Sequence, residues 1–393
     1  MRLDVLKGQS SGNCVTCLDR PCKTSRLAEP GQTTLPLARR SPSPCSPIRG
    51  GASLVLALAA LVSTSPVALG QAPVPLQRLL QAELGRIPAK AGIYVKHLKT
   101  GEEASVLPDE RFNSASVIKI PVFVMGYQMA EKGTLDFNAR VPIGKADKRG
   151  GSGVLRYHDA GLQPTIRDVM MQMIITSDNT ATDIAIAKVG GVAAVNTWLQ
   201  SNGYAPALKL NATILEVFRN RFTLADPKAK DLTAEDVYAL GSNDLGYGTS
   251  ARAWLESIQA GMQKPEVQAE NVRRLSEEPS TWLGEITPRG VGRLLEAMET
   301  GKLTSAASAN EMSRVFRWQQ SGARRLPHYV DVPVGHKTGD FAPSVANDVG
   351  VIYTRSGPVV VSFLLNAIRE PYGEAEDRMG EVARRIVEYF DGK

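Results

Sequence analysis

The residues best suited to chemistry are Ser116 and Lys119, in Ser116-Val117-Ile118-Lys119. Of all the lysines in the chain, only Lys119 has a serine three residues before it. On a helix the i, i+3 spacing puts the two side chains on one face, about a turn apart. A serine hydroxyl becomes a nucleophile when a base takes its proton. Lys119 can be that base if burial and neighbouring cations such as Lys337 strip its ammonium of a proton. The four histidines, His97, His158, His328 and His336, stand in no triad-like context, and all four cysteines precede residue 50, so cysteine nucleophilic catalysis in the body is excluded.

Two further motifs follow. Ser177-Asp178-Asn179 comes after an apolar run, Val169 to Ile175. Ser177 can pass a proton toward a leaving nitrogen, and the Asn179 amide can hold a substrate carbonyl and the lysine. The same residues are good helix N-caps, a role compatible with catalysis, and Asp178 is expected to point inward as a structural acceptor. Lys337-Thr338-Gly339 closes a strand-like run, Val332 to Lys337. Its lysine and hydroxyl would grip a substrate carboxylate, and Gly339 would let the strand edge approach a ligand. The backbone N–H groups of Ser116 and Asp340 would form an oxyanion hole, often worth about 3 kcal/mol per donor.

The elements that must position these groups are legible from periodicity. Helical spacing covers Leu76–Ile87, Ser116–Lys132, Thr165–Ile175, Thr180–Val189, Val192–Ser201, Arg289–Glu299, Ser308–Gln319 and Gly373–Tyr389. Strand patterns cover Ala91–His97, Ala104–Leu107, Asp348–Tyr353 and Val359–Leu365, with a tight turn at Lys99–Glu102. Strands near both ends with helices between predict an α+β domain: an antiparallel sheet built from N- and C-terminal segments with flanking helices, plus an inserted all-α lobe. The expected catalytic domain is 73–393, with an α/β lobe from 73–113 and 288–393 and a helical lobe from 114–287. A cleft between lobes is a usual place for a site, and all three motifs fall at its edges. Gly150-Gly151-Ser152-Gly153 lacks the Lys-Ser/Thr ending of a phosphate cradle and reads as a turn approaching that cleft.

Composition sets outer bounds. Of 393 residues, 43% are hydrophobic and 22% charged, as in an ordinary globular protein. The net charge of +6 is concentrated at the start: residues 1–70 carry eight Lys/Arg and three acids, leaving +1 for the remainder. The basic balance therefore gives no argument for nucleic acid. Cys14, Cys17 and Cys22 are spaced like zinc ligands but lack a fourth; no metal and no organic cofactor is implied. Residues 1–50 read as a disordered or mis-assigned leader. An apolar stretch from Ala52 to Leu69 follows Arg39, Arg40 and Arg49 and ends in small residues. It reads as a signal peptide over 51–72, with an uncleaved anchor as the alternative. The expectation is a periplasmic or secreted monomer with no stable membrane anchor.

With the motifs in place, the chain resembles class A β-lactamases and their relatives among penicillin-recognising serine hydrolases. The likeness rests on Arg111 to Pro121 around the nucleophile, Met173 to Thr182 around the second motif and His336 to Gly339 around the third, with Thr287-Pro288-Arg289 opening a helix. The resemblance implies a β-lactamase/transpeptidase-like fold and Ser116, Lys119 and Ser177 as catalytic residues. It also implies substrate binding by Asn179, Lys337, Thr338, Gly339 and Asp340. The family carries a glutamate on the loop after the second motif, which activates the deacylating water. By spacing its place falls near Thr213 or Ile214, and the only acid close by is Glu216. Glu216 is either that base or an ordinary helix carboxylate. A second departure is the stretch of about 222–285, longer than the family's connection and read as an added helical cap over the cleft.

The leading expectation is an exported hydrolase that opens a β-lactam through an acyl-Ser116 intermediate and then clears it. The alternative is a D-Ala-D-Ala carboxypeptidase or penicillin-binding protein acting on peptidoglycan stem peptides. A catalytically silent envelope-binding module is a third reading, against which the intact Lys119 argues; an esterase acting on other acyl compounds is a fourth.

Overall fold

Alternation of apolar side chains makes the main sheet two-faced. The computed structural model describes residues 75–392, so the leader, the signal segment and all four cysteines lie outside the described residues. The strands are β1 (Lys90–His97), β2 (Glu103–Val106), β3 (Phe112–Asn113), β4 (Leu208–Leu210), β5 (Gly284–Ile286), β6 (Val334–Phe341), β7 (Val345–Thr354) and β8 (Gly357–Asn366). The larger sheet runs β2-β1-β8-β7-β6, every neighbour antiparallel. N-terminal β1 pairs with C-terminal β8, Ile93 opposite Phe363 and Val95 opposite Val361. The expected α+β sheet of terminal segments is therefore present.

The helices are α1 (Leu76–Leu84), α2 (Lys119–Glu131), α3 (Ile166–Ile175), α4 (Asn179–Lys188), α5 (Gly191–Ser201), α6 (Ile214–Phe222), α7 (Ala234–Ser242), α8 (Arg252–Met262), α9 (Pro265–Glu277), α10 (Pro288–Glu299), α11 (Ala306–Arg317) and α12 (Tyr372–Asp391). Val361, Phe363 and Leu365 pack on α1 and α12 through Leu80, Met379 and Ile386. Val360 and Leu364, one residue out of step, pack on the opposite side with Leu294 of α10 and Phe316 of α11. Helix α2 is buried on every side from Lys119 to Tyr127. An all-round apolar helix is stable only inside a core, and burying each large side chain contributes about 1.5–3 kcal/mol. This helix carries Lys119 into the interior. No helix among the described residues is long and apolar enough to cross a membrane.

Within the otherwise helical 114–287 stretch, β4 and β5 pair with each other, and β5 also pairs with β3, in a second sheet ordered β3-β5-β4. Each is three residues long, too short for alternation to announce it. Helix α1 ends at Leu84 rather than Ile87 because Gly85 takes the cap. The longer connection supplies α7, α8 and α9; Val237 and Leu240 of α7 and Leu255 and Ile258 of α8 are buried together with Phe222 of α6 in a small core of their own.

Candidate active site

Ser116 sits in a single 3₁₀ turn, Ala115–Ile118, between β3 and α2. Its predecessor Ala115 is in the left-handed region at φ 41°, a conformation that persists only where surroundings impose it. Those surroundings are three buried asparagines. Asn113 Oδ1 accepts from Ala115 N at 3.0 Å, Asn366 Oδ1 accepts from Asn113 N at 2.7 Å, and Asn347 Nδ2 donates to the carbonyls of Asn113 and Ser114 at 2.9 and 3.2 Å. The Asn113 amide also donates to the Leu275 carbonyl on α9 at 2.9 Å, tying the added helices to the nucleophile's backbone.

Lys119 is fully buried at the start of α2. Its Nζ lies 2.7 Å from the Ser177 carbonyl, 2.9 Å from Asn179 Oδ1 and 3.2 Å from Ser177 Oγ. Burial, and then the Lys337 ammonium, push its pKa well below the ordinary lysine range, although Asp178, Asp183 and Asp340 pull the other way. Ser177 has φ 53°, turning the chain sharply between α3 and α4. Asp178 is the inward structural acceptor expected of it: it caps α4 through Ala181 N at 2.8 Å and accepts from Leu155 N at 2.8 Å. Gly153, at φ 105°, passes so close that a Cβ there would lie 2.3 Å from the Asp178 carboxyl carbon. The glycine turn thereby reaches the cleft, where Asn179 Nδ2 donates to the Gly150 carbonyl at 2.9 Å.

The third motif lies on β6, packed against the nucleophile turn. Lys337 and Thr338 are fully buried. Lys337 Nζ donates to Ser177 Oγ at 2.9 Å and to the Thr338 carbonyl at 2.7 Å. Burial, with some help from Arg325, brings its pKa down to about 7, even though Asp340 and Asp348 pull it upward. Thr338 Oγ1 is 2.7 Å from Ser321 Oγ. At Gly339 a Cβ would meet the Ser114 carbonyl at 2.6 Å and Ser116 N at 3.1 Å, so the strand runs directly beside the nucleophile's amide. The Asp340 carboxylate turns away to the buried Arg325 and to Tyr372 Oη.

Ser116 lines a cavity of about 260 Å³ with Gly151, Asn179, Ile214, Phe218 and Asp340. Its own hydroxyl has no hydrogen-bond partner among the described residues and is half-buried. Glu216, the acid expected nearest the site, does not come to this cavity. Thr213 caps α6, and Glu216 completes the capping box by accepting from Thr213 N at 2.8 Å and Thr213 Oγ1 at 2.9 Å. The geometry follows from helix phase: Ile214, Val217 and Phe218 share one face of α6 and line the cavity, while Glu216 lies on the exposed face. Buried Asp183 pins that phase, accepting from Ile214 N at 2.7 Å and Leu215 N at 3.0 Å while paired with Arg149 at 2.6 Å. While Ile214 was one of the two positions to which spacing pointed, sequence reasoning missed Asn347, Asn366, Asp183 and Arg325. Each acts through a distant segment, and none sits in a local motif.

The site thus brings together a half-buried Ser116, a buried Lys119, a second serine bridging two lysines and a glycine strand beside Ser116 N. The chain belongs to the Beta-lactamase enzyme family, whose model matches residues 75–390. Beta-lactamase L2 of Stenotrophomonas maltophilia is 32% identical over 142 residues, 36% of this chain and 46% of L2; the chain thus spans about half the length of that curated relative. Among solved structures, a beta-lactamase from Sphaerobacter thermophilus has a TM-score of 0.58 at 23% identity, covering 80% of this chain and 95% of that one. A leucine-to-glutamate variant of PBP-A, in an acyl-enzyme complex with penicillin G, has a TM-score of 0.58 at 21% identity, covering 81% and 96%. These last two likenesses establish the fold.

Proposed function

We propose that this protein is an exported, penicillin-recognising acyl enzyme in which Ser116 is the nucleophile and Lys119 its base. The observation that supports it is the convergence of Lys119 and Lys337 on Ser177 Oγ. The neutral Lys119 amine takes the Ser116 proton as Oγ bonds to the substrate carbonyl carbon. The N–H groups of Ser116 and Asp340 receive the oxyanion. When the intermediate collapses, the carbonyl carbon–nitrogen bond breaks, and the proton passes from Lys119 through Ser177 to the leaving nitrogen. The product is an ester on Ser116, with Lys119 neutral again. Asn179 and the Lys337-Thr338-Gly339 strand hold the substrate's amide and carboxylate.

Clearing that ester requires an activated water, and the lining of the cavity bears on which substrate is cleared. Its one carboxylate, Asp340, is committed to Arg325, and the place beside the nucleophile belongs to Ile214. A β-lactam's leaving amine stays tethered to the acyl group and obstructs water, whereas a peptide's leaving amino acid diffuses away. The cavity therefore favours the D-Ala-D-Ala carboxypeptidase or penicillin-binding reading over efficient β-lactamase turnover, with acylation by β-lactams common to both.

The deciding measurement is a time course of the purified protein with a chromogenic cephalosporin, taking intact mass at each point. One equivalent of colour with a lasting adduct on Ser116, absent in Ser116→Ala, together with D-alanine release from a D-Ala-D-Ala peptide, is the expected result. Sustained colour would establish the β-lactamase reading instead. No adduct and no release would sink both.

A further inference from the structure

Three cavities meet at one side chain. Arg221, at the end of α6, lines the Ser116 cavity, a larger cleft of about 800 Å³ and a small pocket of about 30 Å³ beside α9. The large cleft runs on from the Ser116 cavity through Gly151, Phe218, Arg221 and Ala342, which line both. Its outer wall is the added pair α8 and α9. A bicyclic β-lactam has no need of this second space.

Its walls describe what would fill it. Gln259, Gln263, Gln268 and Asn271 present carboxamides, and Phe222 and Met262 present apolar surface. Carboxamides both donate and accept, which matches the alternating N–H and C=O groups of a peptide backbone. The charges are one-sided. The only acid lining any of the three cavities is Asp340, held by Arg325. The other lining arginine, Arg274, is paired with Glu270 at 3.0 Å. Arg221 makes no ion pair or side-chain hydrogen bond with any described residue. Its side chain is exposed to the cleft, with no acid among the cleft-lining residues to pair with it. An unpaired, exposed guanidinium on the wall of an open, otherwise neutral cleft that runs on from the Ser116 cavity is a receptor for a planar anion.

We propose that the cleft between α6 and α8–α9 receives the acyl chain of an extended peptide donor, and that Arg221 pairs with a carboxylate on that chain. This deepens the carboxypeptidase reading and rests on it: the scissile amide lies at Ser116, the acyl peptide runs along the added helices, and its carboxylate meets Arg221. The added helices then set specificity rather than chemistry, choosing anionic peptides over neutral ones.

The test uses two peptides that end in D-Ala-D-Ala and differ only at a γ-linked D-glutamate, whose free α-carboxylate is a carboxamide in the second. On the full-length protein, kcat/KM for D-alanine release should favour the carboxylate peptide by at least about tenfold, the scale of one charge-assisted pair. That preference should shrink as salt is raised, a result that needs no variant. In Arg221→Gln the ratio should fall to near one, and Arg221→Lys should keep part of it; melting curves check that both fold. Affinities of the two peptides for Ser116→Ala repeat the comparison without catalysis. If the protein releases no D-alanine and forms no penicillin adduct, the carboxypeptidase reading fails while these affinities still decide the role of Arg221. Equal affinity for the two peptides, or a preference that survives in Arg221→Gln, overturns the proposal.

Discussion

Lys119 and Lys337 reach the same oxygen: their Nζ atoms stand 3.2 and 2.9 Å from Ser177 Oγ. Two buried cations sharing one hydroxyl is an arrangement no stability argument would choose. The Lys337 charge makes a charge on Lys119 more costly, so, after burial, the pair lowers the Lys119 pKa. A base poised near the working pH is the favourable condition for proton transfer.

The pH dependence of acylation follows. A lysine is cationic below its pKa, so the rate of adduct formation should fall as pH drops through the lowered pKa of Lys119. Lys337→Met removes the repelling charge, raises the Lys119 pKa and should move that acid limb to higher pH. Folding should respond with the opposite benefit. Lys337 titrates near 7 when folded and near 10.4 when unfolded. Between these values the unfolded state binds the extra proton, so stability rises with pH. The melting temperature of Lys337→Met should exceed that of the native protein most clearly below pH 7, and the gap should close toward pH 10. Adduct mass against time and melting curves across pH 5–10 read both effects.

Helix phase on α6 gives a paired prediction. Glu216→Gln should leave the lifetime of the penicillin adduct unaltered within about twofold and cost about 1 kcal/mol of stability through the weakened capping box. Ile214→Glu places a carboxylate where a water could be activated, and should shorten the adduct's lifetime by at least about tenfold. Ile214→Gln, similar in size but without the base, should not. An unchanged lifetime in Ile214→Glu, or a prolonged one in Glu216→Gln, would return the deacylating role to Glu216.

The contrast between these residues shows what the sequence could disclose. Ser116, Lys119, Ser177 and Asn179 come together because each lies within a few residues of a helix start, and helix starts are written in local spacing. The sheet was readable because β7 and β8 carry near-continuous apolar runs, buried on both faces, rich in β-branched residues. Ile214 and Glu216 could not be distinguished by spacing alone, since two residues separate opposite faces of a helix. The choice was made by Asp183, thirty-odd positions earlier, gripping the amides of Ile214 and Leu215. Asn347 and Asn366 were hidden for the same reason: they act across the sheet on a loop more than two hundred residues away.

Gly339→Ala tests the contact between β6 and the nucleophile turn. The added methyl would overlap the Ser114 carbonyl and crowd Ser116 N, neither of which can yield without moving the oxyanion donors. Overpacking of this kind costs about 1–3 kcal/mol. Misplacing one oxyanion donor costs about a hundredfold or more in rate. Stopped-flow acylation should therefore show a slower chemical step rather than weaker initial binding. A variant with native acylation kinetics would place the oxyanion hole elsewhere.

Arg325 is the most consequential residue outside the motifs. Almost fully buried, it pairs with Asp340 and Glu376 and donates to the Asn347 carbonyl at 2.8 Å. It thus joins the residue after Gly339 to the strand whose Asn347 side chain braces the nucleophile loop. Removing the buried member leaves Glu376 uncompensated, while the more exposed Asp340 regains water, so the cost falls below that of a fully buried pair, at about 2–3 kcal/mol. Arg325→Met should lower the unfolding free energy read from urea denaturation by that amount and slow acylation together, because Asp340 N and Asn347 lose their common anchor. Arg325→Lys keeps the charge but not the fork that reaches both carboxylates, so it should recover stability only in part. Urea denaturation alongside adduct formation separates the outcomes: if Arg325→Met loses stability yet acylates at the native rate once folded, Arg325 supports the fold and has no part in positioning the site.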